Sequence, residues 1–245
     1  MTAVYDRIGV GYADLRVPDG RIAGQVLTAL GDAQTVVNIG AGTGSYEPRL
    51  DLVAVEPSPV MLAQRPCSAA PAIQAVAEAL PFRDGTFDAA LAILTTHHWR
   101  DAEAGLAEMA RVSFRQVVLT WDQAYTSDHF WFLTDYLPEA AERERTLAAV
   151  DAVLQAWPEA QVVPVPVPWD CTDGFFAAYW RRPEAFLVPA VRASISGLAL
   201  LDQRLVDGAI ARLSADLESG AWAAKHAQLL ASEELDCGYR LVVHG

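Results

Sequence analysis

Three glycines at alternate positions, in Val36-Val37-Asn38-Ile39-Gly40-Ala41-Gly42-Thr43-Gly44, and one acid twelve residues further on, Glu56, are spaced for binding chemistry. The β-branched run before the glycines reads as a buried strand that stops in a tight loop. Glycine is needed where backbone takes a positive φ or where a ligand lies directly against the main chain, and three in five residues exceeds what a simple turn requires. Glu56 closes a second apolar run, Leu52-Val53-Ala54-Val55. A carboxylate at that strand end is placed to accept hydrogen bonds from both hydroxyls of a ribose. The two features together point to a cofactor that contains adenosine.

Spacing narrows the choice. The glycines follow G-x-G-x-G, and the interval to the second strand holds Pro48 and leaves room for about one helical turn, so a helix N-terminus able to hold a pyrophosphate is missing. No lysine follows the glycines, which excludes a P-loop. A glycine loop and a ribose-binding acid without phosphate machinery suit S-adenosylmethionine. A second chemical group is Thr95-Thr96-His97-His98-Trp99, at the exit of the apolar run 87–94. Strand exits at the carboxyl edge are where open α/β folds bind ligands. Methyl transfer is an in-line displacement in which the protein aligns the acceptor and removes its proton, and histidine can be that base. In an extended segment adjacent side chains alternate, so one histidine at most is expected to face the cofactor. The residues do not choose between His97 and His98, nor between a base and a ring bonded to a carbonyl or packed beneath a cap.

Four ordered motifs carry a resemblance. Asn38–Gly44 resembles the first motif, and Val55-Glu56-Pro57-Ser58 the second, of class I S-adenosylmethionine-dependent methyltransferases of the small-molecule type found in bacterial metabolism. Residues 77–88, Ala-Glu-Ala-Leu-Pro-Phe-Arg-Asp-Gly-Thr-Phe-Asp, resemble a third segment, and residues 89–99 the fourth strand of that family. The resemblance implies a Rossmann-like α/β fold: a seven-stranded, mostly parallel sheet with helices on both faces and an α-helical cap. It implies S-adenosylmethionine as cofactor, S-adenosylhomocysteine as product, and a small, partly apolar acceptor methylated at O, N or C. Cofactor contacts are expected from Asn38, Gly40, Ala41, Gly42, Thr43, Gly44, Glu56, Pro57, Met61, Ala77, Glu78 and Thr95. Tyr12 and Arg16, in the leader, correspond to residues that reach the methionyl carboxylate in related enzymes; packing of Tyr12 and solvation of Arg16 are the competing reading. Asn38 stands where the family commonly has Asp, and Val76 where relatives often carry an adenine-binding Asp. Adenine is then held by backbone at Ala77 and by Glu78 or by apolar sandwiching, and Glu78 serves equally well as a cap for the following turn.

These residues need a frame. The pattern predicts a helical leader over 1–30, with Tyr5, Ile8 and Tyr12 at helical spacing and a second helix over 21–30, then a cofactor-binding core over 31–121. Its third, fourth and fifth strands are read at 73–76, 87–94 and 115–121, with a helix at 101–111. Residues 122–200 read as a cap, with Tyr125, Phe130, Trp131, Phe132 and Tyr136 either closing over an apolar acceptor or packing a core, a helix at 139–157 and an edge strand within 161–169. Asp170 or Asp173 is read as the cap of a helix bearing Tyr179 and Trp180. Arg181 and Arg182 read as a solvated helix end or as contacts to an acidic acceptor. Helices at 184–197 and 202–230 and a strand at 239–243 finish the chain, the last part, 201–245, returning to the core.

The formal charge of −13 and pI near 4.7 in 245 residues disfavour nucleic acid and anionic membrane surfaces as partners. No basic leader with an apolar run and no long uncharged apolar stretch occurs, so a cytoplasmic monomer or homodimer is expected. Cys67, Cys171 and Cys237 are widely spaced and read as buried free thiols, with no metal site. Two alternatives stand beside methyl transfer to a metabolite: a non-catalytic S-adenosylmethionine-binding protein, and an arsenite methyltransferase whose three thiolates would have to converge.

Overall fold

The computed structural model describes residues 16–146 and 149–245, so the expected helix of Tyr5, Ile8 and Tyr12 lies outside the described residues. Helix α1 (Gly20–Leu30) starts under Asp19, whose carboxylate accepts from the Arg21 amide, and buries Ile22, Val26 and Leu30, one residue per turn. The core then runs β1 (Thr35–Ile39), β2 (Asp51–Val55), α2 (Pro59–Ala63), β3 (Ala72–Ile73), β4 (Phe87–Ile93), α3 (Ala102–Val112) and β5 (Ser113–Trp121). Beyond it come α4 (Gln123–His129), α5 (Pro138–Glu144), α6 (Ala149–Ala156), β6 (Gln161–Pro164) and β7 (Val167–Pro168). The chain finishes with α7 (Pro189–Ser194), α8 (Ser196–Ala199), α9 (Gln203–Ser219), α10 (Ala221–Lys225), α11 (Ala227–Leu230), β8 (Glu234–Leu235) and β9 (Tyr239–His244).

Seven strands form one sheet in the order β3-β2-β1-β4-β5-β9-β6, and β7 pairs with β8 apart from it. The pairs from β3 to β5 are parallel, and β9 is antiparallel to both β5 and β6. This is the mostly parallel sheet expected of a Rossmann-like methyltransferase. The chain leaves β1 outward to β2 and β3, then returns to β4 on the other side. That reversal opens a crevice at the carboxyl ends of β1 and β4. Alternate side chains feed two layers. Val36, Leu91, Val117 and Leu241 face α1 and the cap, while Val37, Ala90, Val118 and Val242 face Leu106 and Met109 of α3 and Val153 of α6.

Several boundaries differ from expectation. The third strand is Ala72–Ile73 rather than 73–76, since both its residues are exposed at the sheet edge and no burial extends it. The fourth ends at Ile93 because Leu94 takes φ 49°. The helix read at 139–157 is α5 and α6, and the one read at 202–230 breaks at Gly220, whose φ of 79° caps α9. The segment 122–200 is not all cap: α6 packs on α3, and β6 joins the main sheet.

Neither Asp170 nor Asp173 caps the turn Phe176–Tyr179, which has no side-chain cap; Asp170 pairs with Arg21, and Asp173 with Arg16. Arg182 donates to the carbonyls of Cys171 and Ala178, and Arg181 to that of Ser232, so both brace the fold instead of facing a cavity. Except for Tyr125, which is half-buried against His129 and Arg240, the aromatic cluster resolves as core. Phe130, Trp131, Phe132 and Tyr136 are buried, Phe132 stacks on Phe186 at 4.0 Å, and the Trp131 indole donates to Trp180 O. Among the described residues no helix is long and apolar enough to cross a membrane.

Candidate active site

The glycine loop is folded back on the end of β2. The amides of Gly40 and Ala41 both donate to Val55 O, at 2.8 and 3.0 Å. Glu56, the next residue, takes the Gly42 amide on Oε2 and the Ser58 amide on Oε1, each at 2.8 Å. One carboxylate therefore ties the loop to the start of α2, where Ser58 Oγ accepts from the Met61 amide. A carboxylate has about four lone-pair sites, so bracing two amides is compatible with receiving ribose hydroxyls as well. Beneath the loop the Glu47–Arg65 pair, 2.7 Å apart, is almost wholly buried, and Arg65 also donates to Gly42 O. Asn38 Nδ2 donates to Glu47 Oε1 at 3.3 Å. That turns its Oδ1 away, and this buried oxygen has no hydrogen-bond partner among the described residues.

A cavity of about 320 Å³ lies on this scaffold. Of the residues expected at the cofactor, Arg16, Asn38, Gly40, Ala41, Gly42, Thr43, Glu56, Pro57, Met61, Ala77, Glu78 and Thr95 all line it. Gly44 does not: with φ 98° it turns the chain over Glu47 and Arg65. Tyr12 lies outside the described residues. Glu78 lines the wall while its Oε1 accepts the amides of Arg100 and Asp101, so it holds the loop ahead of α3 rather than the turn that follows it. Trp99 and Arg100 complete this wall and were not legible as site residues. Trp99 fits only because α3 has Gly105 beneath it, where a Cβ would lie 2.4 Å from the indole.

Leu94 takes a left-handed φ unusual for a branched residue and sends the chain from β4 into a 3-10 turn, Thr96–His98. The segment is a 3-10 turn and not the extended strand exit expected, so successive side chains diverge by about 120°. The rings of His97 and His98 lie 3.7 Å apart, and His97 meets Trp121 edge-on at 4.5 Å. His98 lines the first cavity and a second one, also about 320 Å³; His97 lines only the second. Burial pushes the His98 pKa down to about 4, and burial, with His98 and Arg16 adding to it, holds His97 well below its usual value. Both rings are neutral near pH 7.

A testable consequence concerns stability. Unfolded, His98 binds a proton below about pH 6.5, while folded it does not until about pH 4, and His97 is shifted in the same direction, so stability is full above 6.5 and falls as pH drops toward 4. His98 alone is expected to contribute roughly 2–3 kcal/mol to that loss. Urea unfolding of His98→Gln across this range should show a shallower slope; an unchanged slope sinks the assignment.

The second cavity is built from other elements: Trp121 at the end of β5, Arg143 and Glu144 at the end of α5, Phe175, Phe176, Tyr239 and the α7–α8 junction. Arg16, Leu94 and His98 line both cavities, which therefore adjoin along those three residues. Arg16 is held there by Asp173, Nε to Oδ1 at 2.5 Å and Nη2 to Oδ2 at 3.2 Å, and Tyr46 donates to the same carboxylate at 3.0 Å. Arg16, expected from the resemblance near a cofactor carboxylate or else solvated, is thus largely buried with its Nε and Nη2 on a carboxylate of the chain itself.

Residues 37–116 match the family described as methyltransferase domain. Over 94% of this chain and 99% of its own, a protein described as a methyltransferase from an antibiotic biosynthesis pathway of Anabaena variabilis ATCC 29413 is 33% identical, with a TM-score of 0.85. The chain belongs to the class I S-adenosylmethionine-dependent methyltransferases. A methyltransferase from Thermotoga maritima is 21% identical over 68% of this chain and 86% of its own, TM-score 0.49. Geranyl diphosphate C-methyltransferase from Streptomyces coelicolor A3(2) is 16% identical over 91% of this chain and 74% of its own, TM-score 0.46. No curated protein matches the chain in sequence. The methyltransferase is thus an enzyme by family, and the non-catalytic alternative gives way. The arsenite alternative loses its geometry, because Cys67 is exposed, Cys171 and Cys237 are buried, and among the described residues no metal-binding group of three forms.

Proposed function

We propose that the first cavity binds S-adenosylmethionine, that the second binds a small, partly apolar acceptor, and that the methyl group passes between them beside Leu94 and His98. The observation that carries this reading is the shared wall of Arg16, Leu94 and His98 between a cavity founded on Glu56 and a cavity closed by the cap. The residues fit the cofactor. Asn38 offers a buried acceptor without a partner among the described residues, suited to an ammonium, and Glu56 directly follows β2 where ribose hydroxyls are received. Met61, Val76, Ala77 and Trp99 supply an apolar slot for adenine, which answers the missing acid at Val76. When bound, the cofactor supplies a methyl group on a sulfonium, already a good leaving group.

The chain then has to align the acceptor and exclude water. His98, neutral and with a pKa far below neutrality, is a poor general base at pH 7 but adds no positive charge beside a sulfonium. We assign His97 and His98 to shaping and hydrogen bonding at the junction. The 33% identity to a protein of an antibiotic biosynthesis pathway supports an acceptor of metabolite size, as does a cavity at the small end of ligand pockets. The test is calorimetric titration of S-adenosylhomocysteine into the wild type and Glu56→Gln, followed by a labelled-methyl screen of metabolites. Loss of charge-assisted contacts should weaken binding by roughly 1.5–3 kcal/mol. Equal binding by the two proteins removes Glu56 from the site.

A further inference from the structure

The acceptor cavity holds a carboxylate that the transfer chemistry does not use. Glu144, the last residue of α5, is the one acid among the described residues lining that cavity, and it lies away from the junction with the cofactor cavity. The Trp121 side chain lies beside it in the same wall. Its Oε1 is next to Gly197, where a Cβ would stand in ordinary contact with it at 3.4 Å, so the α7–α8 region packs beside the carboxylate.

Of the cationic groups around it only Arg143 answers its charge, and that guanidinium is exposed to solvent. Arg16 is committed to Asp173, Arg143 beside it is exposed and donates to Leu200 O, and His97 and His98 are neutral. Burial pushes the Glu144 carboxyl above its usual pKa, with Arg143 and Trp121 pulling the other way. Four of the other lining residues, Trp121, Phe175, Phe176 and Tyr239, are aromatic, and ring faces attract cations. A chain of net charge −13 also draws cations toward it.

We propose that Glu144 anchors a cationic nitrogen of the acceptor, so that this methyltransferase takes small aromatic or apolar amines bound as ammonium ions. The inference rests on reading the second cavity as the acceptor site. The apolar body fills the space between Phe175, Phe176 and Tyr239, and the end of the molecule remote from the ammonium reaches Leu94 and His98. The ammonium is the anchor and not the atom at the junction, because Glu144 does not line the cofactor cavity.

The test uses the full chain saturated with S-adenosylhomocysteine near pH 7.5 and two probes of one shape, 2-phenylethylammonium and 2-phenylethanol, titrated calorimetrically. The ammonium is expected to bind about tenfold tighter or more. Glu144→Gln, which keeps size and hydrogen bonding but loses the charge, should abolish that preference with S-adenosylhomocysteine binding unchanged. Trp121→Phe, which leaves the carboxylate, should retain it. Equal affinities in the wild type, no binding of either probe, or a preference that survives Glu144→Gln overturns the proposal while leaving the cofactor site intact. Failure of S-adenosylhomocysteine to bind the wild type overturns the cofactor reading, and this inference falls with it. If Glu144→Gln does not fold, the wild-type comparison decides alone.

Discussion

Gly40→Ala is expected to abolish S-adenosylhomocysteine binding and to lower stability by roughly 2–5 kcal/mol. Gly40 has φ 69°, a conformation that costs an L-residue about 1–2 kcal/mol. A Cβ there would also lie 2.1 Å from Thr95 Oγ1 and 2.9 Å from its Cβ and Cγ2. Thr95 cannot yield cheaply. It is buried, β-branched and leads into the turn that carries His97 and His98. The loop must therefore move off Val55 O, which takes the Gly42 amide away from Glu56 and disturbs both cavities together. Gly42→Ala should be milder, since its φ of 54° carries the same backbone cost but the nearest atom is the flexible Met61 Cε at 3.3 Å. Gly24→Ala, inside α1 with nothing within 4 Å, should raise stability by up to about 1 kcal/mol. Thermal unfolding and calorimetry rank the three; a Gly40→Ala protein that binds S-adenosylhomocysteine like the wild type sinks the loop assignment.

The second large effect is expected at Asp173. Its carboxylate is fully buried, takes two contacts from Arg16 and one from Tyr46, and accepts the Gly174 amide at 2.7 Å. Arg16 retains only 10% side-chain exposure. Asp173→Asn takes a buried counter-charge away from that guanidinium, at a cost of about 3–5 kcal/mol, whereas a joint Arg16→Met and Asp173→Leu replacement should recover much of it. Binding should not recover with stability. Arg16 lines both cavities, so the double variant is expected to keep its unfolding midpoint near the wild type and still show raised KM for cofactor and acceptor. A loss below about 1 kcal/mol in Asp173→Asn, or normal KM values in the double variant, ends the idea that this pair sets the junction.

Much of the cofactor half was readable because its determinants are local. Gly40, Gly42 and Glu56 belong to two strand ends that pair in register, Val36 with Leu52 through Ile39 with Val55, so spacing along the chain becomes spacing in space. The acceptor half was not. Trp121, Glu144, Phe175 and Tyr239 come from four separate stretches, and nothing in their own neighbourhoods distinguishes Glu144 from the acids beside it. The aromatic run at 130–136 looked more like a pocket wall than Phe175 or Tyr239 did, but its density serves the cap's core. His97 and His98 were visible as residues and misjudged as an extended pair, because the reversal at Leu94 is a backbone choice that a leucine does not announce.

By itself the sequence determined the cofactor class, the fold family, and the strand ends that hold the glycine loop and Glu56. Those depend on backbone conformation and hydrophobic period, which short stretches encode. Only the tertiary structure decided that Arg16 belongs to Asp173, that both histidines are buried and stripped of charge with His98 on the wall the two cavities share, and that one carboxylate lines the second cavity among the described residues. Burial and partners set charge state and reach, and both come from residues far apart in the chain.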